Sequence, residues 1–353
     1  MGAEIELKLR LSPEAMERFA AHALLAMLAD GEMATRDLSS TYYDTAEGLL
    51  RDRRMALRVR AGGGRFIQTL KLPPEAAVKG GVQEFLEYEA ELAGPVPDLA
   101  LIDAPALQSF FAEVRLAERL VPIFSTEIER RTLDLRQGES EIELALDRGA
   151  VVAGDRRLPI CEAELELKSG RRARRYELAL LGGEQVPFVL EQRSKAERGY
   201  GLLQETRPRP AKAAKTTVHP KMSVAEGFET LARDCLAQLR ANEAAVLNGE
   251  DPEGVHQARV AVRRLRALIA LFKGVVAEPA REEMREGLRW LQQQLGPARD
   301  WDVFLLETLP ALRERLPSEG SLEEIATAAA EARERGYALA RAALESCSYA
   351  RLL

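Results

Sequence analysis

Charged and apolar residues alternate over much of the first two hundred positions of the chain. Such runs span 3–10, 55–61, 65–72, 84–92, 126–135, 140–147 and 160–168. Each predicts a strand, because successive strand side chains point to opposite faces. Gly62-Gly63-Gly64 between two runs predicts a hairpin turn. Ser12-Pro13-Glu14 predicts a helix start, with Ser12 as N-cap and proline at the first helical position. Further helices are expected around 104–120 and 171–182. From residue 222 onward the period changes: Ala, Leu, Arg and Glu recur at helical spacing, which predicts a bundle of antiparallel helices. Between the two regimes, Arg207 to Pro220 holds prolines and small residues without periodicity and predicts a linker. The chain therefore reads as α+β, with a strand domain at 1–205, a linker at 206–220 and an all-α domain at 221–353.

The charges on the strands are sorted by parity. Glu4, Glu6 and Lys8 share a face, as do Arg58 with Arg60, Thr69 with Lys71, Glu87 with Glu89 and Glu91, Glu141 with Glu143 and Asp147, and Glu162 with Glu164, Glu166 and Lys168. The other parity carries Leu7, Leu9, Leu57, Val59, Leu70, Leu72, Ile142, Leu144, Leu146, Leu165 and Leu167. Two barrels fit this pattern. An ordinary one puts the apolar face inside and the charges in water. An inverted one covers an apolar outside with helices and keeps a charged lumen. Separation of the charges into acidic and basic strands points to the second. Such a lumen suits a polyanion with a divalent metal: Lys and Arg hold phosphate oxygens, and carboxylates hold Mg2+ or Mn2+.

Bulk properties narrow the function classes. A net charge of −6 argues against a protein that coats nucleic acid. Residues 211–353 hold 20 basic and 21 acidic residues, so the acidic excess belongs to the strand domain. Cys161, Cys235 and Cys347 have no metal or redox spacing and fit a reducing compartment. Three histidines argue against a His-rich metal site or a Ser-His-Asp triad. No apolar run resembles a signal peptide or a membrane span, so a cytoplasmic protein without membrane partners is expected.

Glu4-x-Glu6-x-Lys8, Tyr42-Tyr43-Asp44-Thr45, Leu57-Arg58-Val59-Arg60, Leu70-Lys71, Glu162-x-Glu164-x-Glu166 and Ser194-Lys195-x-x-Arg198-Gly199-Tyr200 occur in that order. Together they resemble the CYTH family, the triphosphate tunnel metalloenzymes. The resemblance implies an eight-stranded antiparallel tunnel barrel with covering helices, acting on triphosphates with two Mg2+ or Mn2+ ions. It implies Glu4, Glu6, Asp147, Glu162, Glu164 and Glu166 as metal ligands. It implies Lys8, Arg58, Arg60, Lys71, Arg130 and Lys195 as phosphate-binding residues, with Glu4, Glu6 and Lys8 at the catalytic centre. One departure stands out: Phe85 occupies a position where the family commonly has Arg.

In the helical half, His256, Arg259, Arg263 and Arg266 fall on one arc of about 80° at helical spacing. Val262, Leu265, Leu268, Ile269 and Phe272 lie opposite. An uninterrupted basic stripe favours an anionic partner. Arg299-Asp300 is expected near a helix start, with Asp300 able to serve as an N-cap. These residues resemble the CHAD domain, a helical module that binds inorganic polyphosphate and often follows a CYTH domain. The resemblance implies His256, Arg259, Arg263 and Arg266 as polyphosphate ligands. About 130 residues follow the linker, roughly half the usual domain, and a truncated or degraded second half is expected. The reading that follows is a metal-dependent inorganic triphosphatase with a polyphosphate-binding module and no specific nucleic-acid partner. The alternatives are hydrolysis of thiamine triphosphate, cyclisation of ATP, or a non-catalytic polyphosphate adaptor.

Overall fold

The computed structural model describes residues 2–72, 83–171, 173–183, 186–191, 193–204, 208–316 and 321–353, with the backbone alone for 2–5, 83–85 and 183. The chain divides into two compact units, Met1–Thr206 and Arg207–Leu353. Among the described residues no helix is long and apolar enough to cross a membrane.

The first unit runs β1 (Gly2–Arg10), α1 (Pro13–Ala20), α2 (Ala23–Leu28), β2 (Ala34–Asp44), α3 (Leu49–Asp52), β3 (Ala56–Gly62), β4 (Arg65–Leu72) and β5 (Gln83–Leu92). It continues with α4 (Pro105–Glu113), α5 (Leu116–Arg119), β6 (Val121–Gln137), β7 (Ser140–Ala153), β8 (Arg156–Ser169), α6 (Arg174–Gly183), β9 (Val189–Glu191) and α7 (Lys195–Leu203). Every strand pairing is antiparallel. The order is β5-β4-β3-β2-β6-β7-β8-β1, and β1 pairs with β5 to close the ring.

The described strands number nine rather than the expected eight. Along one edge, β1 uses Gly2–Glu6 to pair with β5 and Lys8–Arg10 to pair with β9. The short ninth strand thus covers backbone groups that β5 leaves as it diverges, which a buried edge requires. The expected helix at 104–120 is two helices, because Arg115 between them adopts a left-handed backbone with φ of 51°.

The barrel is the inverted one. Leu57, Leu70 and Leu72 are buried on the outside against Leu50 of α3, Phe111 of α4, Leu116 of α5 and the turn residues Leu99 and Ile102. Leu7, Leu9, Leu144, Leu146 and Leu165 share the outward parity and are buried too. Burying one such side chain is worth about 1.5–3 kcal/mol. Helix α1 supplies cover with Met16 and Phe19, and its N-terminus is capped by Ser12, whose Oγ accepts from the Ala15 amide at 3.1 Å.

Helix α7 sits across one end of the ring. Ala196 joins a cluster with Tyr42, Phe124, Ile128, Val151 and Ile160. Tyr42 stacks on Phe124 with centroids 4.5 Å apart. Gly199 lets the helix approach closely, since a β-carbon there would lie 2.2 Å from the Phe124 ring. The Tyr200 hydroxyl donates to Asp44 at 2.9 Å. Asp44 is fully buried and also accepts from the amides of Thr45, Leu50 and Arg51, which fixes the start of α3.

The second unit contains α8 (Val224–Ala241), α9 (Glu243–Asn248), α10 (Pro252–Leu271), α11 (Glu278–Val303), α12 (Leu309–Arg315), α13 (Ser321–Leu344) and α14 (Cys347–Leu352). A capping box of Ser223 and Glu226 opens α8, and Asp251 with Pro252 opens α10. Val255, Val262, Leu265 and Ile269 of α10 pack with Leu288, Leu291 and Leu295 of α11 and with Tyr337 and Ala340 of α13. The expected helix start near Arg299 is not one. Helix α11 runs through Pro297 without ending and passes through a π-helical turn at Phe304–Thr308 into α12, so Asp300 lies inside a helix and caps nothing. The tight approach of α13 accounts for this: a β-carbon on Gly336 would lie 2.7 Å from the Ala298 amide nitrogen, so the two backbones press together where the proline falls.

Candidate active site

Strand register assembles the charged lumen. A hairpin at Gly138 joins β6 to β7 and sets Arg130 opposite Asp147. A second hairpin at Gly154 joins β7 to β8 and sets Asp147 opposite Glu162. On the other flank of β8, Lys8 of β1 lies opposite Glu164 and Glu6 opposite Glu166. Paired residues of an antiparallel ladder project to the same side, so these groups converge. Asp147 and Glu162 are 0 % exposed and Glu164 is 8 % exposed.

The cations come from three directions. Arg130 clamps Asp147 with Nε–Oδ1 and Nη2–Oδ2 distances of 2.7 and 2.6 Å, and its Nη2 also donates to Glu164 Oε2 at 2.6 Å. From α7, the Lys195 ammonium lies 2.7 Å from Asp147, 2.5 Å from Glu162 and 2.8 Å from Glu164. One helical turn on, Arg198 reaches the second oxygen of Glu162 at 2.5 Å. A capping box fixes this end of α7: Ser194 Oγ accepts from the Glu197 amide, and the Ser194 amide donates to the Glu197 carboxylate. Lys8 pairs with Glu6 at 2.7 Å.

Ionisation follows this network. Burial alone would raise Glu164, but Lys195, Arg130 and Lys8 overcome it and hold the carboxyl well below its usual range. Asp147 is lowered in the same way, with Lys195 and Arg130 outweighing burial and the repulsion of Glu164. Burial would lower Lys195 and Lys8, but the surrounding carboxylates push both above the usual lysine value. All five groups, Arg130 included, are therefore charged near neutrality.

A second wall lies on β3. Arg58 is raised because its contacts with Tyr42 and Glu87 outweigh burial. Its positive charge, followed by burial, pulls Arg60 down to about 10, still a cation at neutral pH. Arg130 is close enough to act on both arginines, so it joins the two walls. Lys71 pairs with Glu87 on the next strands. Beyond Arg60 and Arg130 the lumen opens into a cavity of about 400 Å3 lined also by Arg36, Asp134 and Glu143.

The structure thus brings Glu6, Lys8, Arg130, Asp147, Glu162, Glu164 and Lys195 into one cluster, with Arg58, Arg60 and Lys71 along the facing wall. Glu166, opposite Glu6 on the ladder, pairs with Lys168 at 2.8 Å. The side chains of Glu4 and Phe85 lie outside the described residues. Sequence reasoning left out Arg198 and Tyr42 as site residues. The signal for Arg198 was its position three residues after Lys195, one turn along the same helix.

Three of the carboxylates form a donor set suited to a hard cation: Asp147, Glu162 and Glu164 each offer an oxygen within 4.8 Å of the others. The Lys195 ammonium sits among all three and compensates their charge.

The basic stripe of α10 is only partly free. Arg259 donates to the Gln292 carbonyl at 3.2 Å and Arg266 bonds the Gln292 side chain, both on α11. Arg263 is exposed and His256 is half-buried. Burial lowers Arg259, Asp300 opposes that, and Arg263 and Arg299 add to it, so these charges share one neighbourhood. Asp302 is buried and accepts from Arg333 at 2.7 Å and Tyr337 at 2.8 Å, which gives it a structural place rather than a free one.

Residues 2–200 match the CYTH domain. The chain belongs to the CYTH family. Residues 230–353 match the CHAD domain. The chain is 32 % identical over 207 residues to an inorganic triphosphatase from Haemophilus influenzae. That match covers 57 % of this chain and 55 % of the relative, so the chain spans about half the length of the curated relative. A Hippeastrum protein, described as an adenylyl cyclase candidate with a dominant triphosphatase activity, is 22 % identical, with a TM-score of 0.43 over 56 % of this chain and 95 % of that one. The CHAD domain of Ricinus communis is 35 % identical, with a TM-score of 0.37 over 41 % of this chain and 47 % of that one. At these scores neither structure bears on the chemistry of the CYTH domain described here.

Proposed function

We propose that the CYTH unit hydrolyses tripolyphosphate with two Mg2+ or Mn2+ ions, and that the CHAD unit binds longer polyphosphate. One observation supports the first part above others. Three buried carboxylates converge opposite a wall of Arg58, Arg60 and Lys71, an arrangement that matches metal and phosphate at once. Asp147, Glu162 and Glu164 would hold a divalent ion, with Glu4 and Glu6 at the second position. Bound there, such an ion supplies charge neutralisation and lowers the pKa of a water for attack on phosphorus.

The chain's own residues do the rest. Phosphoryl transfer needs positioning and charge compensation more than covalent chemistry. Arg58 and Arg60 present guanidinium groups suited to paired phosphate oxygens. Helix α7 closes the far end, so a linear triphosphate enters past Arg60 and Arg130 and ends at the acids. Among its described lining residues the cavity at that entrance has no aromatic ring to stack a nucleobase, which favours the inorganic substrate over ATP. In the CHAD unit, Arg263 and His256, together with Arg259, supply the anion-binding surface.

The test is phosphate release from tripolyphosphate, ATP and thiamine triphosphate with Mg2+ or Mn2+. Release from tripolyphosphate and its loss in Glu164→Gln are expected. A wild-type protein inactive on all three substrates would refute the enzymatic reading. The non-catalytic adaptor has one observation in its favour: among the described side chains, Glu6, Asp147, Glu162 and Glu164 are matched by Lys8, Arg130, Lys195 and Arg198, so these charges balance within the protein. For the CHAD unit, changing Arg259 and Arg263 together to Glu is expected to weaken long-chain polyphosphate binding, and unchanged affinity would remove the assignment.

A further inference from the structure

Lys195 stands in the sequence reading as a ligand for phosphate. The structure seats it elsewhere. Its ammonium is 2.5–2.8 Å from one oxygen of each of the three carboxylates that form the hard-cation donor set. It therefore occupies that set and is not part of the arginine wall. We infer that Lys195 is the resident counter-cation of the acidic trio, which a divalent ion must displace in order to bind.

The geometry carries this in three steps. First, the two cations cannot coexist. A divalent ion sits about 2.0–2.6 Å from carboxylate oxygens. The other oxygen of each carboxylate is taken by Arg130 or Arg198, so an ion bound to all three would share the oxygens that Nζ holds and would lie against the ammonium. Second, Lys195 is the movable partner. Arg130 is fixed by a two-point clamp on Asp147, and Arg198 takes the outer oxygen of Glu162, away from the one that Lys195 uses. Lys195 is a point charge on a flexible four-carbon stem. Third, its helix does not depend on it. The Ser194–Glu197 capping box, the Gly199–Phe124 contact and the Tyr200–Asp44 hydrogen bond hold α7 in place by other means. The side chain can leave while the end of the tunnel stays closed. A displaced ammonium keeps its three donors for phosphate oxygens, so a role toward substrate would begin only once metal is bound.

This inference rests on the reading of Asp147, Glu162 and Glu164 as a metal site, and the experiment separates the two. Mn2+ binding is measured on the full chain without substrate, from the free-ion electron paramagnetic resonance signal and by calorimetry, for the wild type and Lys195→Met. The variant is expected to bind Mn2+ at least tenfold more tightly. Its metal-free melting temperature should be lower and its rise on adding Mn2+ larger than in the wild type. Lys195→Gln, which keeps a polar group in the cavity, is expected to shift affinity in the same direction and covers the case in which the methionine variant does not fold. Equal or weaker Mn2+ affinity in a folded variant overturns the displacement and leaves the metal site standing. Absence of Mn2+ binding in both proteins overturns both.

Discussion

Replacing Arg130 with methionine tests how much the buried charge network holds the tunnel together. The guanidinium makes three charge-assisted bonds of 2.6–2.7 Å, two to Asp147 and one to Glu164. Asp147 has no exposure to water, and Lys195 remains as its other ion-pair partner. Removing one member of a buried pair costs about 3–5 kcal/mol, because the other charge is left without compensation. The Arg130 side chain is 19 % exposed, so the lower end, about 3 kcal/mol, is expected. In a unit of this size, 1 kcal/mol moves the melting temperature by about 2–4 °C, so the transition should fall by about 6–12 °C.

Both tryptophans, Trp290 and Trp301, belong to the helical unit. Tryptophan fluorescence therefore follows that unit as an internal reference, while the strand signal in circular dichroism follows the tunnel. The pH dependence has a definite sign. Burial would raise Glu164, but Lys195, Arg130 and Lys8 hold it well below the ordinary value. A carboxyl depressed in the folded state contributes stability above its unfolded pKa, about 4.3, and loses it as pH falls through the folded value. The advantage of wild type over Arg130→Met should thus be full at neutral pH and shrink below about pH 4. A loss under about 1 kcal/mol at neutral pH, set against the 3–5 expected for a buried pair, refutes the reasoning. So does a difference that persists unchanged into acid.

Gly199→Ala would place a β-carbon 2.2 Å from the Phe124 ring, so overpacking should cost about 1–3 kcal/mol, read as a lower urea midpoint for the tunnel unit. Gly336→Ala meets backbone rather than a side chain, 2.7 Å from the Ala298 nitrogen, and should destabilise the helical unit by at least that much. Its tryptophan transition should shift while the strand transition stays. Tyr200→Phe removes one donor to Asp44 but leaves three backbone amides, so a loss of about 1.5 kcal/mol is expected, and a neutral result would show that α7 is held by packing alone.

The inverted barrel was legible because parity was kept on strand after strand: Leu57 and Val59 alternate with Arg58 and Arg60, and Leu144 and Leu146 with Glu143 and Asp147. Strand β2 was not legible. Thr35, Asp37, Ser39 and Thr41 alternate with Arg36, Leu38, Ser40 and Tyr42, so both faces read as polar and no period stands out. The three residues of β9 are too few to carry a pattern. Acids and bases could be named from spacing, but their pairing could not, because it depends on register. One clue was available: a two-residue turn at Gly138 places Arg130 opposite Asp147 by counting alone. The seat of Lys195 had no such clue, since it depends on how α7 docks on a closed ring. Helix α11 misled for a local reason, because Gly296-Pro297 reads as a break that packing against Gly336 overrides.

The docking of α7 also sets an order of assembly during synthesis. Glu6 and Lys8 leave the ribosome first, the carboxylates of β7 and β8 follow, and Lys195 and Arg198 come at the end of the unit. At 5–20 residues per second, roughly 10–40 s separate Lys8 from Lys195. In that interval Asp147, Glu162 and Glu164 lack the two cations that α7 brings, and burying them uncompensated is costly. The nascent tunnel should therefore stay open and hydrated at its acidic end until α7 emerges, so that docking of the unit's last helix is also the step that commits the unit to its folded state.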